Sequence, residues 1–270
     1  RLVRRRADAM LAIYDSGIGG ASVLLALRAI APTVDILYLA DQARCPYGQR
    51  SHADIAAIAH GCARWLIGRG AAPVVVACNT ASAAALQSLR AQHPETPFVG
   101  MVPAVKPAAQ QTRSGVVGVM ATAATLDGAL YAEVTRTHAH GVRVVGQACH
   151  GLVEYVEAGD TTSPAAVAAV AAHVEPLLQA GTDTIVLGCT HYPFLRTAIE
   201  AAAPGVTLID PAPAVALQAI RAATAHGDSL DESGQTHYVT TGDATHLRWL
   251  IGALGLPPGS VSAVTVEELT

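Results

Sequence analysis

Short apolar runs alternate with longer alanine-rich stretches along most of the chain. The apolar runs are rich in Val, Ile and Leu, and they lie at 10–14, 35–39, 73–77, 115–119, 142–146, 183–187 and 206–209. The stretches with helical spacing lie between them, most clearly at 53–69, 81–91, 164–180 and 212–225. Strands that are buried on both faces read as continuous apolar runs. The pattern therefore predicts an α/β protein with parallel-rich sheets covered by helices.

Two parts of this pattern occur twice. The segments PVVVACNTAS at 73–82 and DTIVLGCTHYP at 183–193 each end an apolar run in a cysteine followed by polar residues. The segment AIYDSGIGGASVL at 12–24 has a weaker echo in VGVMATAATLDGAL at 117–130. We infer two similar α/β halves that face each other. Because open α/β sheets bind ligands beyond the carboxyl ends of their strands, these polar clusters should surround one cleft.

Composition and charge narrow the range of partners. The chain has 270 residues and a formal net charge of −4, which argues against nucleic acid or an anionic membrane as the main partner. No apolar stretch reaches the roughly 18 residues that a membrane span needs. The N-terminus RLVRRRADAM is basic but lacks the apolar region of a secretory signal, and Met10 is a candidate natural start.

The cysteines and the single lysine argue against disulfides, metals and cofactors. Five widely spaced cysteines (45, 62, 78, 149 and 189) without a CxxC pair favour a reducing cytoplasm, and no metal site is expected. Lys106, the only lysine, precedes Pro107 and is expected to open a surface helix. A pyridoxal phosphate mechanism needs a lysine for its Schiff base, so it is not expected. Dinucleotide and phosphate-loop motifs are also missing, and we predict no cofactor.

Cys78 and Cys189 are the strongest candidates for chemistry. Each follows an apolar strand and precedes an expected helix, whose N-terminus should lower the thiol pKa from about 8.5. Two such thiols on opposite sides of a cleft suit removal of a proton from one face of a carbon and delivery to the other. The alternative for either cysteine alone is a small buried hydrophobic residue at a strand end.

Residues near these thiols have both functional and structural interpretations. Asp15 could tune a thiol or hold a substrate ammonium group, and either Asp15 or Ser16 could instead cap the next helix. The glycines at 17, 19 and 20 permit close approach of the backbone to an anion. The CPYG segment at 45–48 is an ordinary turn or a loop that offers N–H groups and a phenol to the cleft.

The two threonines and the histidine that follow the cysteines also have both functional and structural interpretations. Thr80 and Thr190 could bind a carboxylate or cap helices, and His191 could assist Cys189 or be a satisfied histidine at a helix start.

Four separated motifs resemble the cofactor-independent glutamate racemases of the aspartate/glutamate racemase superfamily. They are DSGIGG at 15–20, PYG at 46–48, ACNTAS at 77–82 and GCTHYP at 188–193. Weaker similarities lie at 121–131, 152–159, 208–216 and 240–250, so that the resemblance spans nearly the whole chain from Met10.

This resemblance implies a fold and a reaction. The implied fold has two pseudo-symmetric, doubly wound α/β domains, residues 1–100 with 210–270 and residues 101–209, with the active site in the cleft between them. The implied reaction interconverts L- and D-glutamate, without a cofactor, to supply D-glutamate for the peptidoglycan of the cell wall. Family members often dimerise, so a cytoplasmic homodimer with glutamate as its small-molecule partner is expected.

The resemblance also implies roles for particular residues. Cys78 is expected to deprotonate D-glutamate with support from Asp15, and Cys189 to deprotonate L-glutamate with support from His191. Glu157 is expected to have an auxiliary catalytic role. The expected substrate-binding residues are Asp15, Ser16, Pro46, Tyr47, Gly48, Asn79, Thr80, Thr122, Thr125, Thr190 and His191.

Some positions depart from the family pattern, and alternatives remain open. MATAAT at 120–125 keeps only the threonine spacing, Ala21 replaces a usual leucine, and Cys45 is an additional thiol that we expect to be a bystander. His191 in CTH favours glutamate over aspartate. The alternatives are racemisation of aspartate or a hydantoin on the same fold, hydrolysis by a Cys189–His191 pair, and a non-catalytic binding protein.

Overall fold

The computed structural model describes residues 10–227 and 233–270. The prediction for the basic N-terminal arm concerns residues 1–9, which lie outside the described residues. Within the described ranges, no helix is long and apolar enough to cross a lipid bilayer.

In the part of the chain that the structure describes, ten strands form two sheets in which all neighbouring strands are parallel. The strands are β1 Leu11–Asp15, β2 Ile36–Ala40, β3 Val74–Val76, β4 Phe98–Gly100, β5 Val116–Ala121, β6 Arg143–Ala148, β7 Thr184–Leu187, β8 Thr207–Ile209, β9 Thr236–Thr240 and β10 Ser260–Ala263. The first sheet has the order β10-β9-β2-β1-β3-β4, and the second has the order β6-β5-β7-β8.

The connections between the strands are mostly helical, as parallel pairing requires. The helices are α1 Ala21–Ile30, α2 His52–Ile67, α3 Asn79–Gln92, α4 Val105–Gln111, α5 Ala123–Leu126, α6 Ala129–His138, α7 Leu152–Glu157, α8 Pro164–Gln179, α9 Arg196–Ala202, α10 Ala212–His226 and α11 Ala244–Ala253. Lys106 lies exposed in the first turn of α4, as expected.

The strand order supports the internal symmetry inferred from sequence. The four strands β2-β1-β3-β4 have the same order as β6-β5-β7-β8, so β1 corresponds to β5 and β3 to β7. Cys78 and Cys189 therefore follow equivalent strands in the two halves. The predicted fold of two parallel α/β units is confirmed. The exact domain boundaries at 100, 101, 209 and 210 stay a prediction.

Most differences from the predicted elements occur where the local apolar signal is weak. All seven predicted strands are present, but β4, β9 and β10 were not predicted. β4 has only three residues, β9 reads THYVT, and β10 is a largely exposed edge strand that reads SVSA. Such mixed or very short runs do not stand out from loops in a periodicity analysis.

The buried apolar core is continuous between the two halves. One cluster contains Ile13 and Val75 of the first sheet together with Met120 and Ile185 of the second. This packing holds the carboxyl ends of both central strands, β1 and β5, near the same region. The loops that follow those strands form the candidate site.

Candidate active site

The loop after β1 places a buried carboxylate at the centre of the site. Asp15 is fully buried, and its Oδ1 accepts a hydrogen bond from the Gly17 N–H at 2.9 Å. Its Oδ2 accepts one from Thr190 Oγ1 at 3.1 Å, which joins the two halves. Burial raises the pKa of Asp15 above its usual range. Helix α1 begins later, at Ala21, without a side-chain cap, so capping is not what Asp15 does.

The glycines of DSGIGG allow the second half to approach this loop closely. A Cβ on Gly19 would lie 2.3 Å from His191 Nδ1, and a Cβ on Gly17 would lie 1.9 Å from Glu157 Oε1. The backbone N–H of Ile18 donates to Glu157 Oε1 at 2.7 Å. The anion that this glycine-rich turn accommodates in the structure is thus a carboxylate of the protein itself.

Glu157 and His191 form a buried ion pair. Glu157 ends α7, and its Oε1 accepts a hydrogen bond from His191 Nε2 at 2.7 Å. Burial opposes ionisation of Glu157, but the hydrogen bond and charge of His191 outweigh it and lower the pKa of Glu157. Burial alone would also lower the pKa of His191, yet its contacts with Cys189 and Glu157 raise that pKa well above the usual value. Both groups are therefore held in their charged forms.

Cys189 lies on the other side of this imidazole. Its Sγ is 3.7 Å from His191 Nδ1, and the cysteine is 7% exposed. The sequence pattern predicted a helix directly after Cys189, and this was wrong. The chain instead makes a 3₁₀ turn at Tyr192–Leu195, with Pro193 in its first positions, before α9 begins at Arg196. The neighbouring donor of Cys189 is thus a histidine side chain rather than a helix N-terminus.

Cys78 has a different environment. It is the N-cap of α3, where its Sγ accepts a hydrogen bond from the Ala81 N–H at 3.5 Å and donates to Ser16 Oγ at 3.7 Å. Burial and the nearby charge of Asp15 nevertheless raise the pKa of Cys78 to about 12. The expectation that the helix N-terminus would lower this pKa was wrong, because desolvation of the thiolate costs more than the helix end offsets.

The threonines near each cysteine reach across to the opposite half. Thr80 Oγ1 lies 2.9 Å from Thr122 Oγ1 and 3.2 Å from Thr125 Oγ1, both in the loop and helix after β5. In return, Thr190 bonds to Asp15 at the end of β1. Thr80 does not cap α3, since that position belongs to Cys78. These two sets of hydrogen bonds are approximately symmetric, and they connect the thiol-bearing loop of each half to the opposite half.

Asn79 is a further candidate for substrate contact. Its side chain is 3% exposed, and neither its Oδ1 nor its Nδ2 has a hydrogen-bond partner among the described residues. An unpaired buried amide costs free energy and is rare in folded proteins. Asn79 therefore has both a donor and an acceptor available for a bound molecule.

The PYG segment offers a substrate its backbone more than its tyrosine side chain. The Tyr47 hydroxyl is buried, donates to Asp41 Oδ2 and lies 2.8 Å from Tyr14 Oη. Gly48 packs against Thr122 of the second half, where a Cβ would lie 2.9 Å from the threonine Cβ. Pro46 and Gly48 line a small cavity with Thr122. A substrate at this cavity would meet the backbone of the segment, while the phenol is already engaged.

Two residues near the site had no assigned role in the sequence analysis. Gln42 Nε2 donates to Glu157 Oε2 at 2.8 Å, and its Oε1 accepts from Thr240 Oγ1 at 2.8 Å. Cys45, expected to be a bystander, has its thiol close to Glu157 and His191. Burial and the carboxylates of Glu157 and Asp15 raise the pKa of Cys45 far above its usual value. Gln42 and Cys45 follow β2, so the rule that ligands bind at strand ends could have drawn attention to both.

Comparison with known proteins shows the family to which the chain belongs. Residues 21–219 match the profile of the family described as Asp/Glu/hydantoin racemase. The chain belongs to this family. The resemblance inferred from the four motifs is therefore confirmed, and the chain is an amino-acid racemase.

Relatives within the family are similar over nearly their whole length. A glutamate racemase of Roseiflexus sp. is 53% identical over 95% of this chain and 96% of its own. The crystal structure of glutamate racemase from Thermus thermophilus in complex with β-chloro-D-alanine has 36% identity and a TM-score of 0.81, covering 96% of this chain and 98% of that one. The Escherichia coli glutamate racemase, in complex with L-glutamate and the activator UDP-MurNAc-ala, has 28% identity and a TM-score of 0.85, covering 96% and 99%.

Proposed function

We propose that this chain is a glutamate racemase that interconverts L- and D-glutamate with Cys78 and Cys189 as its two proton-transfer groups. The observation that supports this most directly is the position of the two thiols, which follow equivalent strands, β3 and β7, of two facing halves. The relatives named glutamate racemase, which are 43–53% identical over most of this chain, support glutamate as the substrate. The mechanism requires no cofactor.

Proton removal from L-glutamate is assigned to Cys189. His191 presents Nδ1 to the Cys189 sulfur and is kept cationic by Glu157, so it can balance negative charge on that sulfur. The Cys189 thiolate takes the α-proton from one face of the substrate. A positioned base of this kind contributes typically 10²–10⁴-fold to a rate.

Proton delivery to the opposite face is assigned to Cys78. Its raised pKa, about 12, keeps the thiol protonated near neutral pH, which is the form needed to donate. In the D-to-L direction the roles reverse, and Cys78 acts as the base. A substrate ammonium group beside Asp15 would offset the carboxylate charge that now disfavours the Cys78 thiolate.

The remaining predicted residues hold the substrate in this proposal. Asn79 offers an unpaired buried amide, and Thr80, Thr122 and Thr125 form a cluster of hydroxyl groups beside it. Ser16 and the backbone of Pro46–Gly48 complete the set. These groups are neutral donors and acceptors suited to the two carboxylates of glutamate.

The proposed biological role follows from the product. D-glutamate would be supplied to peptidoglycan synthesis, and hence to the cell wall and cell shape, by an enzyme acting in the cytoplasm as a homodimer. Neither the dimer nor the location depends on the proposed chemistry, and each has its own test in sedimentation and cell fractionation.

The test is incubation of the purified protein with L-glutamate in D₂O, with a chelator and no added cofactor. We expect optical rotation to disappear while deuterium enters the α-carbon. Exchange without loss of rotation would mean that only one base works, and would contradict the two-thiol assignment. Aspartate and a hydantoin serve as parallel substrates, and faster turnover of either than of glutamate would replace glutamate in the proposal.

A further inference from the structure

Cys45, Glu157 and His191 bring a sulfur, an oxygen and a nitrogen ligand together beside the proposed active site. One potential ligand atom from each residue lies within 4.8 Å of the other two. Within residues 10–227 and 233–270, this is the one group of three or more His, Cys, Asp or Glu side chains that converge so closely. The proposed racemisation uses Glu157 and His191, but it gives Cys45 no role.

The three residues come from separate elements that the fold holds in place. Cys45 follows the 3₁₀ turn at Gln42–Arg44, and its N–H donates to Gln42 O at 3.2 Å. Glu157 ends α7 and is held by Ile18 and Gln42, while His191 follows β7. Their convergence therefore belongs to the packing of the two halves and not to one flexible loop.

The ligand set suits a thiophilic divalent cation. Zn²⁺ takes thiolate, imidazole and carboxylate ligands at about 2.0–2.3 Å, which in a tetrahedron places ligand atoms about 3.3–3.8 Å apart. The His191 and Glu157 ligand atoms, now 2.7 Å apart, would need to separate, and the remaining separations, within 4.8 Å, would need to contract by up to about 1 Å. Glu157 brings a carboxylate oxygen to the cluster, and its negative charge favours a cation. Cys45 is half-buried, so it lies near enough to the surface for an ion to reach.

We propose that Cys45, Glu157 and His191 form an inhibitory site for Zn²⁺ or a cation of similar chemistry. On binding, the Cys45 thiol and the His191 imidazolium each release one proton to solvent, Sγ and one ring nitrogen then coordinate the ion, and no redox change occurs. The ion replaces the hydrogen bond between His191 and Glu157, which orients the imidazole beside Cys189. Binding itself does not depend on the proposed function, whereas the inhibition rests on it.

Direct binding is tested with Co²⁺ as a spectroscopic substitute for Zn²⁺, on the full chain purified under reducing conditions. We expect a thiolate-to-cobalt charge-transfer band that Zn²⁺ abolishes by competition. The band should be absent in Cys45→Ala and retained in the Cys78→Ala/Cys189→Ala double variant. A band that is lost in the double variant but kept in Cys45→Ala would overturn the proposal, since the two proposed catalytic thiols would then be the ligands. No band in the natural chain would also overturn it.

Inhibition is tested by racemisation of glutamate in buffered Zn²⁺, with each variant normalised to its own metal-free rate. The half-inhibitory Zn²⁺ concentration should rise at least about tenfold in Cys45→Ala, since loss of a ligand should cost no less than the 10–100-fold typical of second-shell changes. Cys149→Ala is the matched control, because Cys149 is a buried thiol at the end of β6 outside the cluster, and its sensitivity should not change. Equal sensitivity of Cys45→Ala and the natural chain would contradict the proposal.

Two further comparisons keep the test decisive. If Cys45→Ala does not fold, Cys45→Ser keeps the size of the side chain and should show the same loss of the cobalt band. A Cys45-dependent band in a protein that does not racemise glutamate would support the metal site and refute the proposed function. Racemisation that is unaffected by Zn²⁺, together with the absence of a cobalt band, would support the proposed function and refute the metal site.

Discussion

The two thiol sites occupy equivalent positions in the repeated fold, yet their surroundings differ. Cys78 caps α3, and its contacts are the neutral groups of Ala81 and Ser16, with Asp15 nearby. Cys189 has a 3₁₀ turn behind it and a histidine at 3.7 Å that is paired with a carboxylate. The repeat thus reproduces the place of the thiol but not its electrostatic environment.

This difference matches what a two-base reaction requires. In the proposed reaction one thiol must accept a proton while the other donates one, so the two thiols need different surroundings. The cationic His191 lies beside Cys189, whereas the carboxylate of Asp15 lies near Cys78 and raises its pKa. Under the proposed mechanism, this asymmetry favours Cys189 as the base and Cys78 as the acid before the substrate binds.

The largest expected effect comes from removing either thiol. Cys78→Ala and Cys189→Ala should each lower kcat for racemisation by about 10³-fold or more, since each removes a required proton-transfer group. Polarimetry with each pure enantiomer measures the rates. Cys62→Ala is the control, because Cys62 is a buried thiol within α2 and does not follow a strand, and it should stay within a few-fold of the natural chain. Full activity in either of the first two variants would contradict the assignment.

The next largest effect distinguishes the partner of each thiol. His191→Asn removes the charged donor beside Cys189 and should lower kcat by about 10²-fold. Ser16→Ala removes a neutral 3.7 Å contact of Cys78 and should lower kcat less than about tenfold, while the loss of its proposed substrate contact should raise KM. For both variants, kcat and KM are measured in the L-to-D and the D-to-L direction. Equal losses in the two variants would indicate that the two sites are electrostatically alike.

A smaller effect is expected from Gln42, which positions Glu157 without contacting a thiol. Gln42→Leu removes the donor to Glu157 Oε2 and should cost several-fold in kcat/KM, in line with one hydrogen bond to a charged group. The pKa of Glu157 is lowered in the folded protein, so its charge is lost as the pH falls through that value. Without Gln42 this pKa rises, and the acidic limb of the kcat/KM profile should move to higher pH.

Thr240→Val is the matched control for this shift, because Thr240 bonds to the other end of the Gln42 side chain. It should produce a smaller displacement of the same sign. An unchanged acidic limb in Gln42→Leu would mean that Glu157 does not control the pH dependence.

The last effect is on stability rather than on activity, and it concerns the reciprocal threonine contacts between the halves. Thr190→Val removes the hydrogen bond to Asp15, and Thr80→Val removes those to Thr122 and Thr125. Thr190→Val should lower the free energy of unfolding by about 1–3 kcal/mol, since Asp15 Oδ2 is left without its donor. Thr80→Val should lower it by about 1 kcal/mol, since Thr122 and Thr125 keep the hydrogen bond to each other. Denaturant unfolding measures this change. Thr190→Val should lower the free energy of unfolding more than Thr80→Val does. It removes a hydrogen bond to the ionisable Asp15, whereas Thr80→Val removes hydrogen bonds to neutral hydroxyl groups.

The sequence by itself determined seven of the ten described strands and the residues at their ends. Continuous apolar runs such as 73–77 and 183–187 identify buried parallel strands from local pattern alone, and the residues that follow them must lie at one edge of a sheet. The repetition of the strand–cysteine pattern also indicated two facing halves. These features depend on neighbours in sequence, which is why Cys78 and Cys189 could be selected without a structure.

Only the tertiary structure decided the chemical character of those residues. Glu157 meets His191 across 34 positions and Gln42 across 115, and no local pattern encodes such contacts. The pKa of Cys78 moved opposite to the prediction, because desolvation depends on every atom packed around the thiol, whereas a helix end can be read from sequence. Placement at strand ends is thus a local property of this chain, but charge, protonation and the proximity of Cys45 to its active site are products of long-range packing.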